Sequence, residues 1–265
     1  MKERIDVLLV RMGFFETRER AKRSIMAGVV LVEDKVVDKA GTLVNEESEI
    51  RIKGEILKYV SRGGLKLEKA IKVFNLDFNG KKVADIGAST GGFTDCALQN
   101  GADFVYAVDV GTNQLSWKMR QDKRVKSIEN CHVKDLKSED LNFEKMDFIV
   151  VDVSFISLEK VIPYFNEFLD EKGKIVMLIK PQFEVGKENV EKGGIVRDFE
   201  KHKMAIKNVI RAAEENNLYI NGIDVSPITG SKGNVEYISC FSKIPGENYN
   251  IDMVVEAGEK LKKGV

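Results

Sequence analysis

The sequence predicts an α/β protein in which a mostly parallel sheet is covered by helices, with a small α+β unit in front of it. Three observations support this prediction. After residue 80, seven short runs rich in Val and Ile alternate with polar or amphipathic stretches, which is typical of strands buried on both faces. Residues 1–53 instead combine two helical periodicities with short strands. A chain of 265 residues is long enough for one large domain and one small domain.

The composition excludes several classes of protein. The chain has 42 Lys+Arg, 42 Asp+Glu and 43% hydrophobic residues, which is the balance of a globular protein rather than a disordered one. Apolar runs such as 175–179 fall far short of the ~20 residues that span a bilayer, and residues 1–6 are not followed by the apolar h-region of a secretory signal. We therefore expect no membrane span, no secretory signal and a cytoplasmic location. Three cysteines without a C-x-x-C pair and only two histidines predict neither a disulfide framework nor a metal site.

Two helices and a hairpin are predicted within residues 1–53. The first helix ends at Gly13, and Thr17 is the predicted N-cap of the second helix, which ends at Gly28. A short hairpin turns at residues 33–35, and a further strand closes the unit. The apolar positions that indicate these elements are Ile5, Leu8, Leu9, Ala21, Ile25, Met26, Val29, Leu31, Val36, Ile50 and Ile52.

Basic residues are concentrated at the front of the chain. Residues 1–72 carry 16 Lys/Arg against 12 Asp/Glu, a surplus that suits a polyanionic partner, although a solvated face of mixed charge is an equal alternative. Arginine suits phosphate because its planar fork donates two hydrogen bonds. The cations expected to contact phosphate lie in and between the two predicted helices: Arg11, Arg18, Arg20, Lys22 and Arg23.

The spacing of these residues resembles the alpha-L RNA-binding module over roughly residues 4–52. The resemblance rests on Arg4, Asp6, Leu9, Gly13, Thr17, Arg18, Ala21, Ile25, Gly28, Val30 and Val32. It implies an RNA-binding domain over residues 1–53 and adds Arg4 to the cations that contact RNA. A generic helix-helix-hairpin fold is the alternative interpretation.

A larger domain is predicted over residues 63–265, after a linker over residues 54–62. Gly63 and Gly64 precede a first helix that carries Lys66. The last two strands are joined without a long helix, so the final strand is expected to run antiparallel. The predicted strands are 82–86, 104–110, 125–129, 148–153, 175–180, 219–225 and 235–241, and helices are predicted over 200–215 and 253–263.

A glycine-rich loop follows the first strand of this domain. Its spacing, Gly-x-x-x-Gly-Gly with an acidic residue two positions earlier, differs from the Gly-x-Gly-x-x-Gly of dinucleotide sites. The loop resembles the S-adenosylmethionine loop of the seven-stranded methyltransferases, which implies a Rossmann-like class I methyltransferase sheet. A structural glycine turn is the alternative. The cofactor contacts implied by the resemblance are Asp85, Gly87, Ala88, Ser89, Thr90, Gly91, Gly92, Phe93, Asp109 and Val110.

The ribose and adenine contacts are expected from the next two strands. Asp109 ends the second strand, where a carboxylate can accept hydrogen bonds from both hydroxyls of a ribose. After the third strand the family pattern has Asn, whereas this chain has His132, with Asp135 nearby. Which of these two residues faces the adenine stays open.

Two charged residues end apolar strands at the sheet edge where ligands bind. Asp152 follows 148–151 and Lys180 follows 175–179, although a surface lysine is the alternative interpretation of Lys180. Together with Lys66 and Glu236, they resemble the Lys-Asp-Lys-Glu tetrad of ribose 2′-O-methyltransferases related to FtsJ. That resemblance implies that Lys180 takes the proton of a ribose hydroxyl, for which the amine must be neutral.

The module and the tetrad together resemble the TlyA (hemolysin A) family over nearly the whole chain, including the Gly193–Asp198 segment. The resemblance implies methylation of cytidine 2′-hydroxyls in ribosomal RNA with S-adenosylmethionine, and ribosomal RNA or subunits as partners. The chain is similar to the longer members, which act on both subunits. Two alternatives are a catalytically idle RNA-binding factor, which the intact loop and tetrad disfavour, and a membrane-active cytolysin, which the lack of a predicted span disfavours.

Overall fold

The computed structural model describes residues 2–15, 17–53, 58–246 and 249–263, which form two compact units, Met1–Leu57 and Lys58–Val265. Residues 54–57 of the predicted linker lie outside the described residues. Residues 58–62, also expected in the linker, belong to the larger unit, because Tyr59 is buried in its core and the Val60 N–H donates to Asp95 Oδ2 at 2.9 Å.

The smaller unit contains two helices packed on short antiparallel strands. Thr17 caps the second helix as predicted, since its hydroxyl accepts a hydrogen bond from the Arg20 N–H. Met26 was expected in the apolar face but is 74% exposed, because it is the last residue of that helix and lies one helical step beyond buried Ile25. The elements are β1 Lys2–Arg4, α1 Ile5–Arg11, α2 Arg18–Met26, β2 Val30–Val32, β3 Lys35–Val36, β4 Leu43–Asn45 and β5 Ile50–Ile52.

These strands form two small sheets. β1 pairs with β4, and β2 lies between β3 and β5. The buried core of the unit comprises Ile5, Leu8, Leu9, Ala21, Ile25, Val30, Val44 and Ile50.

The larger unit alternates strands with helices. The helix predicted over 200–215 and the terminal helix are both present, as is each predicted strand, with bounds that differ by a few residues. The elements are α3 Gly63–Val73, β6 Lys82–Ile86, α4 Gly92–Gln99, β7 Phe104–Val108, α5 Trp117–Gln121, β8 Val125–Ile128, β9 Met146–Val151, α6 Phe165–Phe168, β10 Leu169–Ile179, α7 Pro181–Glu184, α8 Phe199–Glu214, β11 Tyr219–Val225, β12 Tyr237–Ser242 and α9 Ile251–Lys263.

A seven-stranded sheet in the order β11-β12-β10-β9-β6-β7-β8 confirms the predicted α/β fold. Strands β6 to β10 run parallel to one another, whereas β12 runs antiparallel to both β10 and β11, as expected for the final strand. Ile86 pairs with Val108 on one side and Val151 on the other, so the carboxyl ends of β6, β7 and β9 meet at one edge. Polar residues that follow these strands are therefore brought together.

Both faces of the sheet are covered by apolar side chains. Successive residues of β6 point to opposite faces, so Val83 packs in one core with α3 and α4 while Ala84 packs in the other with α8. Burial on both faces explains why the strands read as continuous apolar runs. Among the described helices, none has the length and apolar character needed to cross a membrane.

Candidate active site

The glycine-rich loop joins β6 to α4 at the carboxyl edge of the sheet. Gly87 and Gly91 have φ angles of 84° and 91°, which favour glycine. A Cβ at Gly87 would lie 2.9 Å from the carbonyl oxygen of Asp152, so the loop packs directly against the end of β9. The missing side chain at Gly87 therefore allows the backbone of the loop to approach the neighbouring strand.

Asp85 supports this loop from inside the protein. Its carboxylate is fully buried and accepts a hydrogen bond of 2.6 Å from the Thr94 hydroxyl in the first turn of α4. Burial raises the pKa of Asp85 to about 7. Among the described residues, Asp85 and Gly91 line neither of the two cavities at this edge of the sheet, although both were expected to contact the cofactor.

The first cavity, of about 530 Å³, lies beside the loop at the ends of β6, β7 and β8. His132 lines it, whereas Asp135 is exposed and is not among its described lining residues, which separates the two residues that the sequence left open. Gln114, Phe155 and Ile156 also line it and were not predicted. The predicted cofactor contacts that line this cavity are Gly87, Ser89, Asp109, Val110 and His132.

Asp109, which directly follows β7, is held in place by two backbone N–H groups. The Ser89 N–H donates to Oδ2 and the Gly111 N–H donates to Oδ1, both at 2.7 Å. Each carboxylate oxygen can accept more than one hydrogen bond, so both retain capacity for a ligand diol. The orientation of the carboxylate is therefore set by the backbone before a ligand arrives.

The second cavity, of about 400 Å³, contains the four tetrad residues. It shares Gly87, Ser89, Asp152 and Ser154 with the first cavity, so the two cavities adjoin along the loop and the end of β9. Its other predicted lining residues are Ala88, Thr90, Gly92 and Phe93, and its unpredicted ones include Ser61, Arg62, Gln182, Phe183, Ile228, Thr229 and Gly230.

The tetrad forms a continuous chain of ion pairs. Lys66 Nζ lies 2.6 Å from Glu236 Oε2 and 3.5 Å from Asp152 Oδ2, and Lys180 Nζ lies 2.6 Å from Asp152 Oδ1. Lys66, Lys180 and Glu236 are 8%, 5% and 3% exposed. Asp152 therefore bridges the two lysines, and Glu236 binds only the first of them.

The charges in this chain compensate for burial. Burial lowers the pKa of Lys66, but Asp152 and Glu236 outweigh it and raise that pKa above its ordinary value. Burial likewise raises the pKa of Asp152, but Lys180 and Lys66 outweigh it and hold the pKa below the usual range. Lys66 and Asp152 therefore stay charged at neutral pH.

Lys180 is held by three acceptors on the segment that leaves β9. Besides Asp152, its Nζ donates to the Val153 carbonyl and to the Ser154 hydroxyl, each at 2.8 Å. Ser154 was not predicted, although it stands two residues after Asp152 in the same polar stretch. The amine is therefore oriented by its neighbours from the strand next to its own.

The predicted RNA-binding cations lie on β1, α1 and α2 of the smaller unit, and several are paired. Arg4 and Arg18 both bind the buried carboxylate of Asp6, at 3.0 and 2.8 Å. The hydrogen bond from Arg4 is the main reason that the pKa of Asp6 is lowered to about 2, and Arg18 lowers it further. Arg11 pairs with Glu3 and Glu46, and Lys22 pairs with Glu19, while Arg20 and Arg23 lie on α2. The side chains of Arg4, Arg11 and Arg18 remain about half exposed, so their guanidinium groups can still reach a phosphate.

Residues 59–243 match the FtsJ-like methyltransferase family, and residues 3–50 match the S4 domain. The chain belongs to the FtsJ-like methyltransferase family. Hemolysin A of Brachyspira hyodysenteriae is 43% identical over 238 residues, which cover 90% of this chain and 99% of that protein. The 16S/23S rRNA (cytidine-2'-O)-methyltransferase TlyA of Mycobacterium tuberculosis is 38% identical over 237 residues, which cover 89% of this chain and 88% of that protein.

A solved structure is similar to this FtsJ-like methyltransferase over nearly the whole chain. A protein from Streptococcus thermophilus whose description carries the word hemolysin superposes with a TM-score of 0.78 at 46% identity, covering 99% of this chain and 98% of that chain. The resemblance to the TlyA (hemolysin A) family is thereby confirmed. The alpha-L module predicted from residues 4–52 corresponds to the matched S4 domain.

Proposed function

We propose that this chain is a ribose 2′-O-methyltransferase that uses S-adenosylmethionine and acts on cytidine in ribosomal RNA. The proposal rests on two cavities that share part of their lining. The ion-paired Lys-Asp-Lys-Glu tetrad lines one of them, and Asp109 lines the other. A methyl donor and a nucleotide bound side by side need this arrangement. The name of the M. tuberculosis relative supports cytidine and ribosomal RNA as the substrate.

The first cavity fits S-adenosylmethionine. A Cβ at Gly87 would collide with the backbone of Asp152, so only glycine fits at this position beside the cavity. Asp109 is oriented by two N–H donors with acceptor capacity to spare for the ribose hydroxyls, and His132 lines the wall that we assign to the adenine. When bound, S-adenosylmethionine would supply a methyl group activated by its positive sulfur, and the carbon–sulfur bond that breaks on transfer would leave the neutral thioether S-adenosylhomocysteine.

The second cavity fits the deprotonation of a ribose hydroxyl. Lys66 has a raised pKa and stays cationic between two carboxylates, which makes it unsuitable as a base. Lys180 is the remaining amine, and in its neutral form it can take the proton of the 2′-hydroxyl as the oxygen forms its new bond to carbon. Asp152 orients Lys180, Glu236 orients Lys66, and the cationic Lys66 favours negative charge on the attacking oxygen.

The two units divide the work in this proposal. We propose that residues 1–53 bind structured RNA through Arg4, Arg11, Arg18, Arg20, Lys22 and Arg23, and that the larger unit, from residue 58 onward, binds the cofactor and transfers the methyl group. Asp6 orients Arg4 and Arg18 through short hydrogen bonds. Arg62 adds an exposed cation beside the tetrad, where the backbone phosphate of the target nucleotide would lie.

The test is methyl transfer from labelled S-adenosylmethionine to isolated small and large ribosomal subunits, with the full-length chain. We expect label in 2′-O-methylcytidine after digestion to nucleosides, and mass spectrometry of rRNA fragments identifies the position. Lys66→Ala should abolish incorporation, whereas Lys72→Ala, on the exposed side of the same helix, should retain it. Subunits that are bound but never methylated would instead support the idle RNA-binding factor.

A further inference from the structure

The loop between β11 and β12 folds back over the tetrad. The Ser226 N–H donates to the Glu236 carbonyl at 2.8 Å, and inside this pair the Gly230 N–H donates to the Asn234 carbonyl at 2.8 Å. The nested bonds bring Gly230 against the side chain of Glu236, and both residues line the cavity that contains the tetrad. Gly230 therefore lies beside the carboxylate that holds Lys66.

A side chain at Gly230 would occupy the place of that carboxylate. A Cβ built on Gly230 would overlap Glu236 Oε1, and it would lie 2.5 Å from Cδ and 3.2 Å from Cγ of the same residue. Its three nearest neighbours are thus all atoms of the Glu236 side chain. The φ angle of Gly230 is outside the left-handed range, so the backbone itself does not require glycine. What requires glycine here is the space that Glu236 fills.

The loop has little freedom to retreat from Glu236, because the Gly193–Val196 turn holds it. Asn234 is buried, accepts from the Val196 N–H at 3.2 Å and donates to the Gly194 carbonyl at 2.9 Å. Lys232 Nζ donates to the Gly193 carbonyl at 2.8 Å. A substituent at 230 would therefore displace the more flexible partner, which is the carboxylate of Glu236.

Moving that carboxylate breaks the tetrad at one contact. Glu236 accepts a hydrogen bond of 2.6 Å from Lys66 Nζ. Because this ion pair is buried, water cannot easily replace a lost partner. We propose that Gly230 is a positioning residue: its missing side chain lets Glu236 reach Lys66, and the Gly193–Val196 turn backs the loop that carries it. This inference rests on the proposed methyltransferase function.

The test is Gly230→Ala in the full-length chain, measured by single-turnover methyl transfer to ribosomal subunits. A displacement of about 1 Å in a positioned group can cost about 10²-fold in rate, and we expect a loss of that size with cofactor affinity unchanged. The matched control is Gly80→Ala, at the opposite edge of the sheet. Its φ of 68° predicts lost stability, but no atom lies within 4 Å of its Cβ, so activity should persist.

A double variant separates positioning from general damage. Glu236→Ala removes the three heavy atoms nearest to the new Cβ, so Gly230→Ala/Glu236→Ala should be as stable and as active as Glu236→Ala alone. If Gly230→Ala fails to fold, the same double variant should fold normally. A fully active Gly230→Ala, or a double variant worse than Glu236→Ala, would overturn the inference. A wild-type chain that methylates no subunit refutes the proposed function itself, which is a different result.

Discussion

Replacing Lys180 by alanine should stop methyl transfer while leaving cofactor binding largely intact. Among the described residues, Lys180 lines the second cavity and not the first, although its acceptors Asp152, Val153 and Ser154 line the first cavity as well. Loss of a positioned base costs about 10²–10⁴-fold, which is roughly 2.7–5.5 kcal/mol of transition-state stabilisation. The assay is single-turnover transfer at saturating RNA and cofactor, with cofactor affinity measured by calorimetry.

The same change has a cost in stability that must be separated from the cost in rate. Removing one partner of a buried ion pair typically costs about 3–5 kcal/mol, and Asp152 keeps Lys66 at 3.5 Å, so we expect a value near the lower limit. Urea unfolding of the variant measures this cost. Activity is then compared at a temperature where both proteins are fully folded.

Lys180→Arg distinguishes a base from a fixed charge. The guanidinium can keep the ion pair with Asp152, but it does not release a proton at neutral pH. We expect this variant to be folded, to bind RNA and cofactor, and to remain nearly inactive. An active arginine variant would refute the assignment of Lys180 as the base.

Three further predictions concern the cofactor, the RNA and the fold. Asp109→Ala should weaken binding of S-adenosylmethionine by about 1–3 kcal/mol in calorimetry, and an unchanged affinity would remove Asp109 from the site. Binding to ribosomal subunits should weaken steeply with salt, and Arg11→Gln or Arg18→Gln should reduce that slope by about one unit if each contacts one phosphate. Burial raises the pKa of Asp85 from 3.8 to about 7, so the folded state holds a proton that the unfolded state has lost between these values. The free energy of unfolding should therefore fall as pH rises through this window, by up to about 1.4 kcal/mol per pH unit, and Asp85→Asn should lose this slope in urea titrations.

Local patterns in the sequence predicted most of the elements. The Val/Ile runs of β6 to β10 are buried on both faces, and that is a property of each strand and its immediate neighbours along the chain. The Thr17 cap and the glycine loop after Ile86 are likewise short-range signals. Local signals were weaker at the ends of elements: β10 begins at Leu169 rather than at 175, and Met26 extends beyond the apolar face of its helix.

The residue types of the tetrad were predictable from a resemblance, but their pairing was not. Lys66 and Glu236 are separated by 170 positions and still lie in direct contact, while Lys180 binds Asp152 and two neighbours of Asp152 instead. Nothing in the local sequence around any of them indicates its partner. The same holds for Gly230, which matters only because the fold places the carboxylate of Glu236 against it.

Patterns along the chain were enough to predict the order of strands and helices, the glycine loop and the chemical groups available at the carboxyl edge of the sheet. Contacts between distant residues were needed to show that His132 rather than Asp135 lines the first cavity, that Asp85 lies behind the loop, and that Asp6 binds two of the arginines predicted to contact RNA. The two kinds of information differ in how far along the chain the interactions behind them reach. Periodicity and φ preferences act between neighbours along the chain, whereas burial, ion pairing and the pKa of a group depend on residues that the fold brings from far away.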